Sequence, residues 1–190
     1  IGRQIRPKLY DLKADYPQPL APRHQRFEIS ERIGAKGQVI KPLEDAAIES
    51  VVARVIDADV EAVAVCLLFA FVNPDHENRI GAALRKAAPG MDVSLSSDVQ
   101  PEFREYERFS TTVLNAYLQP LVSRYMTFLQ VELSTLAPDA KLGINQSSGG
   151  LMSADRACVY PIRTALSGPA AGVVGAGHIG RAAGRPDVVT

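Results

Sequence analysis

The sequence predicts an α/β fold built on a parallel pair of strands that a helix connects. Residues 62–69 form a continuously apolar run, as expected of a strand that is buried on both faces. Residues 77–88 have helical character, between an Asn-Pro-Asp-His break at 73–76 and a Pro-Gly pair at 89–90. A second strand is predicted at 93–97. Because strand, helix and strand follow one another through short links, the two strands should pair in parallel with a right-handed crossover.

The residues before this unit predict a hairpin and a helix. Four prolines among the first 22 residues exclude a long helix there. Residues 26–33 alternate between polar and apolar side chains, and a turn at 34–37 leads into residues 38–40. We therefore expect a hairpin with one face toward water. Apolar residues recur at helical spacing over 42–57, which predicts the first α-helix.

The longest helical stretch covers residues 102–136. Its apolar side chains form a broad stripe, and we interpret the aromatic members as core residues rather than as a binding site. Pro120 interrupts the stretch, so a long kinked helix or two abutting helices are expected. The stripe consists of Tyr106, Phe109, Val113, Tyr117, Leu121, Tyr125 and Phe128, with Leu114, Leu118, Met126, Leu129 and Leu133 beside it.

Composition and charge exclude several classes of protein. The 190 residues carry 21 Lys and Arg and 21 Asp and Glu, so no excess charge favours nucleic acid or a membrane as partner. Neither a secretion signal nor an apolar run of bilayer length is recognised, which makes the cytoplasm the default location. Cys66 and Cys158 lack the spacing of a metal or disulfide site, and both are expected to be buried thiols. The three histidines are scattered, so no metal site is predicted.

The C-terminal stretch is rich in glycine and small side chains. Ser167 is placed to cap a helix start, and Pro169 lies where a missing N–H costs nothing. The helix that follows has little side-chain thickness, so another backbone could pack closely against it. Residues 184–186 should end this helix, and residues 187–190 should begin a buried strand.

Residues 175–180 match the letters G-x-G-x-x-G of the dinucleotide-binding fingerprint. That fingerprint needs a strand before the first glycine, a helix after the last, and an acidic residue about 20 positions further on. Only Val173 and Val174 could form the strand, and Asp187 comes too soon to be the acid. We therefore favour glycines that allow close helix packing, and an NAD-binding domain through Gly175 and Gly180 is the alternative.

The tetrad Ser147, Ser148, Gly149 and Gly150 has two interpretations. It follows a short strand predicted at 141–146. One interpretation is a tight loop between a strand and a helix, in which glycine supplies positive φ angles. The other is a group of N–H donors at a helix entrance that binds an anion. The residues alone favour neither.

Several blocks of sequence resemble the hydantoinase A/5-oxoprolinase family. Three of them are REYERFSTTVLNAYLQPL at 104–121, QSSGGLMS at 146–153 and LSGPAAGV at 166–173. AVAVCLL at 62–68, followed by NPDHE at 73–77, is also similar to that family. The blocks occur in the family's order, and the similarity extends over nearly the whole chain.

The resemblance implies an ATP-dependent enzyme that opens a small cyclic amide, such as 5-oxoproline or a hydantoin. It also implies an actin-like ATPase fold of the ribonuclease H-like, sugar-kinase and heat-shock-chaperone group. Residues 1–140 would form the remainder of an N-terminal lobe, and residues 141–190 the start of a second lobe with its interlobe helix. The family's phosphate-gripping turns are not in this sequence, so we expect a fragment that is inactive alone.

The resemblance further implies that the full-length protein uses ATP and Mg²⁺ as cofactors, and that the fragment alone holds neither. It also implies a second hydantoinase-type subunit or domain as partner. Candidate cofactor-binding residues are Ser147, Ser148, Gly149, Gly150, Ser167 and Gly168, and no catalytic residue is assigned. The family commonly has Asn at the position of Ser148, which puts a ligand contact by that Asn in doubt. Which cyclic amide is used, or whether a carboxylase relative is meant, stays open.

A non-catalytic binding or interaction module is the competing class, because no arrangement of nucleophile and base is recognised. The carboxylates Glu102, Glu105 and Glu107 flank Arg104 and Arg108 at a predicted helix start. At this spacing we interpret the five charges as a salt-bridged surface rather than as general acids.

Overall fold

The computed structural model describes residues 8–11, 13–15 and 17–189. The chain divides into two compact units, one ending at Tyr117 and the other beginning at Leu118. This boundary falls inside the longest helix. The lobes predicted at 1–140 and 141–190 concern a larger enzyme, and that division stays a prediction. No helix in the described ranges has both the length and the apolar character needed to cross a membrane.

The described residues form short strands and longer helices. The strands are β1 (Arg32–Ile33), β2 (Val39–Lys41), β3 (Ala62–Val65), β4 (Asp92–Leu95), β5 (Gly143–Asn145) and β6 (Leu151–Ser153). The α-helices are α1 (Asp45–Asp57), α2 (Asp75–Ala87), α3 (Ser96–Val99), α4 (Glu105–Leu136), α5 (Ala154–Val159) and α6 (Ser167–Ala182). Two 3-10 helices lie at Arg23–Gln25 and Pro161–Thr164.

The predicted strand–helix–strand unit is confirmed. β3 and β4 pair in parallel, with Ala62 opposite Asp92 and Val65 opposite Leu95. α2 connects the two strands and packs on them, and α1 packs on α2. Their apolar side chains form one core, which holds this unit together by removing apolar surface from water. The buried members are Leu43, Ile48, Val52, Val55, Val65, Ile80, Leu84, Val93 and Leu95.

β3 is shorter than the apolar run that predicted it, and it is not buried on both faces. Val65 is its one fully buried residue, and the strand ends before Cys66. The N–H of Leu67 is donated to the Glu77 carboxylate (2.8 Å) rather than to a neighbouring strand. Phe69 has a left-handed φ of 59°, which no strand residue adopts. Half of the apolar run is therefore a loop, and β4 likewise ends early because α3 begins directly after it.

The predicted hairpin is present but short. β1 and β2 are antiparallel, with Arg32 opposite Lys41, and the register is irregular after Arg32. The Gly34 N–H donates to the Gln38 carbonyl oxygen (2.8 Å) and closes the turn. Residues 26–31 alternate in polarity but are not part of a strand.

α4 is a single helix with Pro120 inside it, not two abutting helices. The predicted burial of its aromatic stripe is wrong, because Tyr117, Tyr125 and Phe128 are exposed while Tyr106 and Phe109 are half-buried. The interior face of its first half is polar instead. The residues buried there are Arg108, Thr112, Asn115 and Gln119, with Ala116 among them.

The second unit contains the antiparallel pair β5–β6 together with α5 and α6. Met126, Met152, Ala154 and Ala157 are the buried members of its apolar core. Ser153 caps α5, since its hydroxyl oxygen accepts the Arg156 N–H (3.2 Å). α6 forms from the glycine-rich stretch, as predicted.

The start of α6 and the residues that follow its end differ from the prediction. Leu166, not Ser167, is the N-cap residue, with a left-handed φ of 59° and no side-chain capping bond. At the other end Gly184 has a φ of 70°, and the Arg185 N–H donates to the Gly180 carbonyl oxygen (2.8 Å), so the helix stops where predicted. The strand predicted to follow is wrong for the described residues 187–189, which are exposed and pair with no described strand; Thr190 lies outside the described residues.

The glycines of α6 do not form a dinucleotide-binding turn. Residues 175–180 all lie within the helix, so the strand–turn–helix geometry of the fingerprint is absent there and the NAD-binding alternative is wrong. A Cβ built on Gly180 would lie 2.6 Å from the Arg185 carbonyl oxygen, which makes it a site of close backbone packing. A Cβ built on Gly168, Gly172 or Gly175 would have no described atom within 4 Å.

Candidate functional site

Buried polar side chains gather in the first unit, where β3 and β4 end. We call Glu77, Ser96, Ser97, Arg108 and Thr112 the strand-end cluster. Glu77, Ser96, Arg108 and Thr112 are each 0% exposed. They come from α2, the start of α3 and α4, three elements that meet at the carboxyl edge of a parallel strand pair. Ligands of parallel α/β sheets bind beside this edge.

Glu77 joins the two strand ends through its carboxylate. Oε1 accepts the Leu67 N–H (2.8 Å) and the Ser96 hydroxyl (2.7 Å). Oε2 accepts both the N–H (2.9 Å) and the hydroxyl (2.8 Å) of Ser97. A carboxylate that accepts four hydrogen bonds from two segments fixes those segments to each other.

Arg108 reaches the same segment from α4. Its guanidinium donates to the Leu67 carbonyl oxygen (3.2 Å) and to the Glu102 carbonyl oxygen. The guanidinium carbon lies 5.1 Å from the ring centroids of both Phe71 and Phe109. Its Nε is buried and has no hydrogen-bond partner among the described residues. The predicted salt-bridged surface is therefore wrong for Arg108, which is interior and donates to backbone carbonyls.

The rest of α4's polar face completes this environment. The Thr112 hydroxyl donates to the Arg108 carbonyl oxygen (2.7 Å), and the Asn115 amide donates to the Ser94 hydroxyl (2.9 Å). Burial raises the pKa of the Cys66 thiol, and the Glu77 carboxylate raises it further, against smaller opposing effects of Arg108 and Thr112. The thiol therefore stays protonated and is a poor nucleophile.

The segment after β3, residues 66–72, is held in an unusual conformation. Phe69 is a bulky residue in the left-handed region, and its carbonyl oxygen accepts the N–H groups of Val72 (2.9 Å) and Asn73 (3.1 Å). The Asn73 amide donates to the Gly37 carbonyl oxygen (2.9 Å), which ties the segment to the β1–β2 turn. We call residues 66–72 the strand-end loop.

A buried pair lies next to this loop. The Nδ1 of His76 and the Oε2 of Glu31 are 2.6 Å apart, and both side chains are almost fully buried. In the sequence His76 is one of three scattered histidines, and nothing in the spacing indicates a partner 45 residues away. The pair holds the segment before β1 against the first turn of α2.

The second unit contains the six residues predicted to bind a cofactor. Ser147, Ser148, Gly149 and Gly150 connect β5 to β6, so the tetrad is a hairpin turn and not the entrance of a helix. The positive φ angles expected of its glycines are present, 86° at Gly149 and 78° at Gly150. The Gln146 N–H donates to the Gly150 carbonyl oxygen (3.0 Å) and closes the turn.

This turn lies near the segment that leads into α6. The Ser147 N–H donates to the Arg163 carbonyl oxygen (2.8 Å), and Arg163 precedes Ser167 by four residues. Ser167 and Gly168 form the first turn of α6, whose free N–H groups suit an anion. Arg156 and Arg163 both stack on Tyr160, with guanidinium carbons 5.2 and 4.9 Å from its ring centroid. A turn, a helix start and two cations thus follow one another closely along the chain.

No metal centre is formed by the described residues, which contain no group of three or more His, Cys, Asp or Glu side chains that could hold an ion. The sequence did contain one signal for the strand-end cluster. Arg108, Thr112, Asn115 and Gln119 recur at the spacing of one helix face, and they are the polar residues of that helix that became buried. The broader apolar stripe alone was interpreted as the core face of this helix.

Two family models match this chain. The model of the hydantoinase/oxoprolinase N-terminal region matches residues 1–88, and the hydantoinase/oxoprolinase model matches residues 108–190. An uncharacterized protein of Methanocaldococcus jannaschii is 39% identical over 95% of this chain, and the caprolactamase subunit alpha of Pseudomonas jessenii is 39% identical over 73%. The 5-oxoprolinase of Saccharomyces cerevisiae is 30% identical over 82% of the chain. The chain spans 27%, 20% and 12% of the lengths of these three relatives.

Two solved structures share the fold. The ATP-dependent caprolactamase from Pseudomonas jessenii has a TM-score of 0.70 and 36% identity, over 76% of this chain and 21% of that one. The nucleotide-free structure of acetone carboxylase, an enzyme of ATP-dependent acetone carboxylation, has a TM-score of 0.76 and 26% identity, over 90% of this chain and 24% of that one.

Proposed function

Because the chain belongs to the hydantoinase/oxoprolinase family, we propose that it is part of an ATP-dependent enzyme that opens the ring of a cyclic amide. The observation that carries this proposal is the likeness to caprolactamase in both sequence and structure, at 39% and 36% identity. The 5-oxoprolinase relative is also named for a cyclic amide. Since the chain spans about a quarter or less of these relatives, the activity belongs to an intact, longer protein.

The chemistry explains why ATP is needed. An unactivated amide is a weak electrophile, and opening an unstrained ring in water is unfavourable. Transfer of the γ-phosphoryl group of ATP to the amide oxygen releases ADP and makes the carbon a better electrophile. Water then attacks this carbon and the ring C–N bond breaks, and a second water releases inorganic phosphate. Such transfers depend on positioned backbone donors and cations more than on a single side chain.

Ser147, Ser148, Gly149, Gly150, Ser167 and Gly168 are the residues we assign to the nucleotide phosphates or the developing negative charge. Three features support this assignment. The glycines of the turn have positive φ angles, the start of α6 offers N–H groups, and Arg163 is fixed beside the turn by its carbonyl group. The described residues do not form a magnesium site, so we assign no step to a metal ion held by them.

The larger architecture is part of the same proposal. An actin-like ATPase has two lobes around its nucleotide, and we assign residues 1–140 to one lobe and 141–190 to the start of the other. Relatives named as subunits, such as the caprolactamase subunit alpha, support a second subunit as partner. The cytoplasm is the compartment in which such an enzyme would meet ATP.

Carboxylation is the second candidate function. Acetone carboxylase covers 90% of this chain, more than caprolactamase does, and the gamma subunit of acetophenone carboxylase from Aromatoleum aromaticum is 30% identical over 91% of it. The same ATP-dependent activation of a carbonyl oxygen would serve a ketone and bicarbonate.

The test uses the intact protein with its partner subunit. ADP release is measured with caprolactam, 5-oxoproline, hydantoin, or acetone with bicarbonate, and the organic product is identified in each case. We expect ADP release that depends on a cyclic amide and yields the ring-opened amino acid. ADP release that depends only on the ketone with bicarbonate would replace this proposal by carboxylation.

A matched pair of variants tests the assigned turn. Gly149→Ala places a side chain at a φ of 86° and should raise the KM for ATP, whereas Gly90→Ala lies in open space without a positive φ and should leave kinetics unchanged. Ser148→Asn restores the residue common in the family and should not lower activity. An unchanged KM for ATP in Gly149→Ala would remove the turn from the nucleotide site.

A further inference from the structure

We propose that the strand-end loop, residues 66–72, is a contact surface for the ring of the cyclic amide, and that Glu77 and Arg108 are positioning residues that hold it in place. This inference rests on the proposed function and extends it to the first unit, where sequence analysis assigned no site. Three independent observations support it: the position and chemistry of the loop, the cost of its two buried charges, and its backbone conformation.

The loop lies at the edge of the parallel pair where ligands bind in such sheets. Its sequence is Cys-Leu-Leu-Phe-Ala-Phe-Val, without a charged residue. The rings of Phe69 and Phe71 lie 6.1 Å apart in a tilted arrangement, and both side chains are half-buried. The loop's own side chains are uncharged, although the Arg32 guanidinium carbon lies 5.7 Å from the Phe69 ring centroid. Such a mainly apolar surface suits a small organic ring better than a polyphosphate. The glycine turn and arginines of the second unit have the opposite character.

Two buried charges hold a single residue of this loop. Glu77 accepts the N–H of Leu67 and Arg108 donates to its carbonyl oxygen, so both backbone polar atoms of Leu67 are fixed by ionisable side chains. Taking a carboxylate and a guanidinium out of water is costly, and apolar side chains of similar volume stabilise an interior as well or better. Stability alone therefore does not explain these residues, whereas a need to fix the start of the loop does.

The backbone of Phe69 gives the third observation. Within the described ranges, three non-glycine residues have a positive φ: Asp59, Phe69 and Leu166. Asp tolerates this region, but a bulky aromatic residue there is strained and is kept only where surrounding contacts impose it. At Phe69 the contacts that impose it are those of Leu67 on one side and Asn73 on the other. Strained residues of this kind concentrate at ligand-binding sites.

The test compares Phe69→Gly with Asp59→Gly in the intact protein, with caprolactam and 5-oxoproline as probes. Glycine adopts φ values near 59° and 47° without strain, so Asp59→Gly should melt close to the wild type. Phe69→Gly also removes a half-buried ring that lies beside Phe71 and should melt lower, so both variants are assayed well below their melting temperatures. We expect Phe69→Gly to raise the KM for the cyclic amide at least tenfold and to leave the KM for ATP unchanged. Asp59→Gly, exposed and outside the loop, should match the wild type. Wild-type kinetics in Phe69→Gly, or an equal rise in both KM values, would overturn the inference.

The positioning residues are tested with Glu77→Gln and Arg108→Lys, assayed well below their melting temperatures. A purely structural role would lower the melting temperature without changing the ratio of the two KM values. We expect the KM for the cyclic amide to rise selectively, as in Phe69→Gly. Ile80→Val, a buried change on the same helix, is the control for lost stability and should alter neither KM.

Hydrogen exchange keeps the inference separate from the proposed function and does not depend on any variant. In the wild type, caprolactam or 5-oxoproline should slow amide exchange in residues 66–72. Ring opening without such protection contradicts the inference and leaves the proposed function standing. A wild type that consumes no ATP with any cyclic amide contradicts the proposed function, and the inference that rests on it is then wrong as well.

Discussion

Two glycines of α6 offer a matched test of the packing described above. Gly172 and Gly180 occupy the same helix, but a Cβ on Gly172 would meet open space. A Cβ on Gly180 would lie 2.6 Å from the Arg185 carbonyl oxygen and 2.7 Å from a Val188 methyl carbon. The same substitution to alanine should therefore have opposite effects at the two positions.

The magnitudes follow from the environment of each glycine. Gly172→Ala removes a glycine from an open helical position, which should stabilise the unit by about 0.5–1 kcal/mol. Gly180→Ala forces a backbone carbonyl away and disturbs the bond from the Arg185 N–H, so overpacking should cost about 1–3 kcal/mol. The difference between the variants is then about 1.5–4 kcal/mol, which displaces the urea midpoint by roughly 1–2 M at an m-value of about 2 kcal/mol/M.

Equilibrium unfolding in urea measures this difference. Circular dichroism follows the helices, and the wild-type chain should fall between the two variants in midpoint. A Gly180→Ala variant as stable as Gly172→Ala would refute the close approach of residues 185–188 to α6. In that case α6 would have no tightly packed glycine among the described residues.

Three further changes test the environment of the strand-end cluster and one helix cap. Burial raises the pKa of the Cys66 thiol, so above the ordinary pKa of 9.0 the thiol loses its proton only in the unfolded chain. The free energy of unfolding should therefore fall by up to about 1.4 kcal/mol per pH unit above that value. Melting curves of Cys66→Ala, recorded over the same pH range, should lack this fall. His76→Leu leaves the Glu31 carboxylate buried without its partner and should lower the free energy of unfolding by about 3–5 kcal/mol. In a double-mutant cycle measured by urea unfolding, the double variant with Glu31→Leu should regain part of that loss. Ser153→Ala removes the acceptor for the Arg156 N–H and should lower the free energy of unfolding by about 1 kcal/mol, seen as a lower melting temperature. An unchanged melting temperature would mean that the cap is not formed in solution.

Local patterns in the sequence were enough to predict the strand–helix–strand core of the first unit. The short links around α2 and the helical spacing in α1 gave the parallel unit and its core, because those features depend on neighbours a few residues apart. The apolar run through Phe69 was predicted as one strand because hydrophobicity does not report φ. Only the contacts of Leu67 with Glu77 and Arg108, from distant parts of the chain, show where the strand ends.

The candidate site was predicted less completely, for related reasons. The tetrad at Ser147 and the start of α6 were recognised from glycine content and family blocks, but the tetrad turned out to join two strands. Arg108 was placed on the surface because its spacing from the neighbouring glutamates is that of salt bridges along an exposed helix face. Its interior position depends on partners 6 and 41 residues away in the sequence, which no spacing rule identifies.

We propose that this chain serves an enzyme that couples ATP to the opening of a cyclic amide. The most direct measurement counts ADP and ring-opened amino acid together in one reaction of the intact protein with caprolactam or 5-oxoproline. We predict that the two products form in equal amounts and that neither forms when ATP or the cyclic amide is left out. Ring opening without ADP, or ADP formation at the same rate without the cyclic amide, would contradict the account.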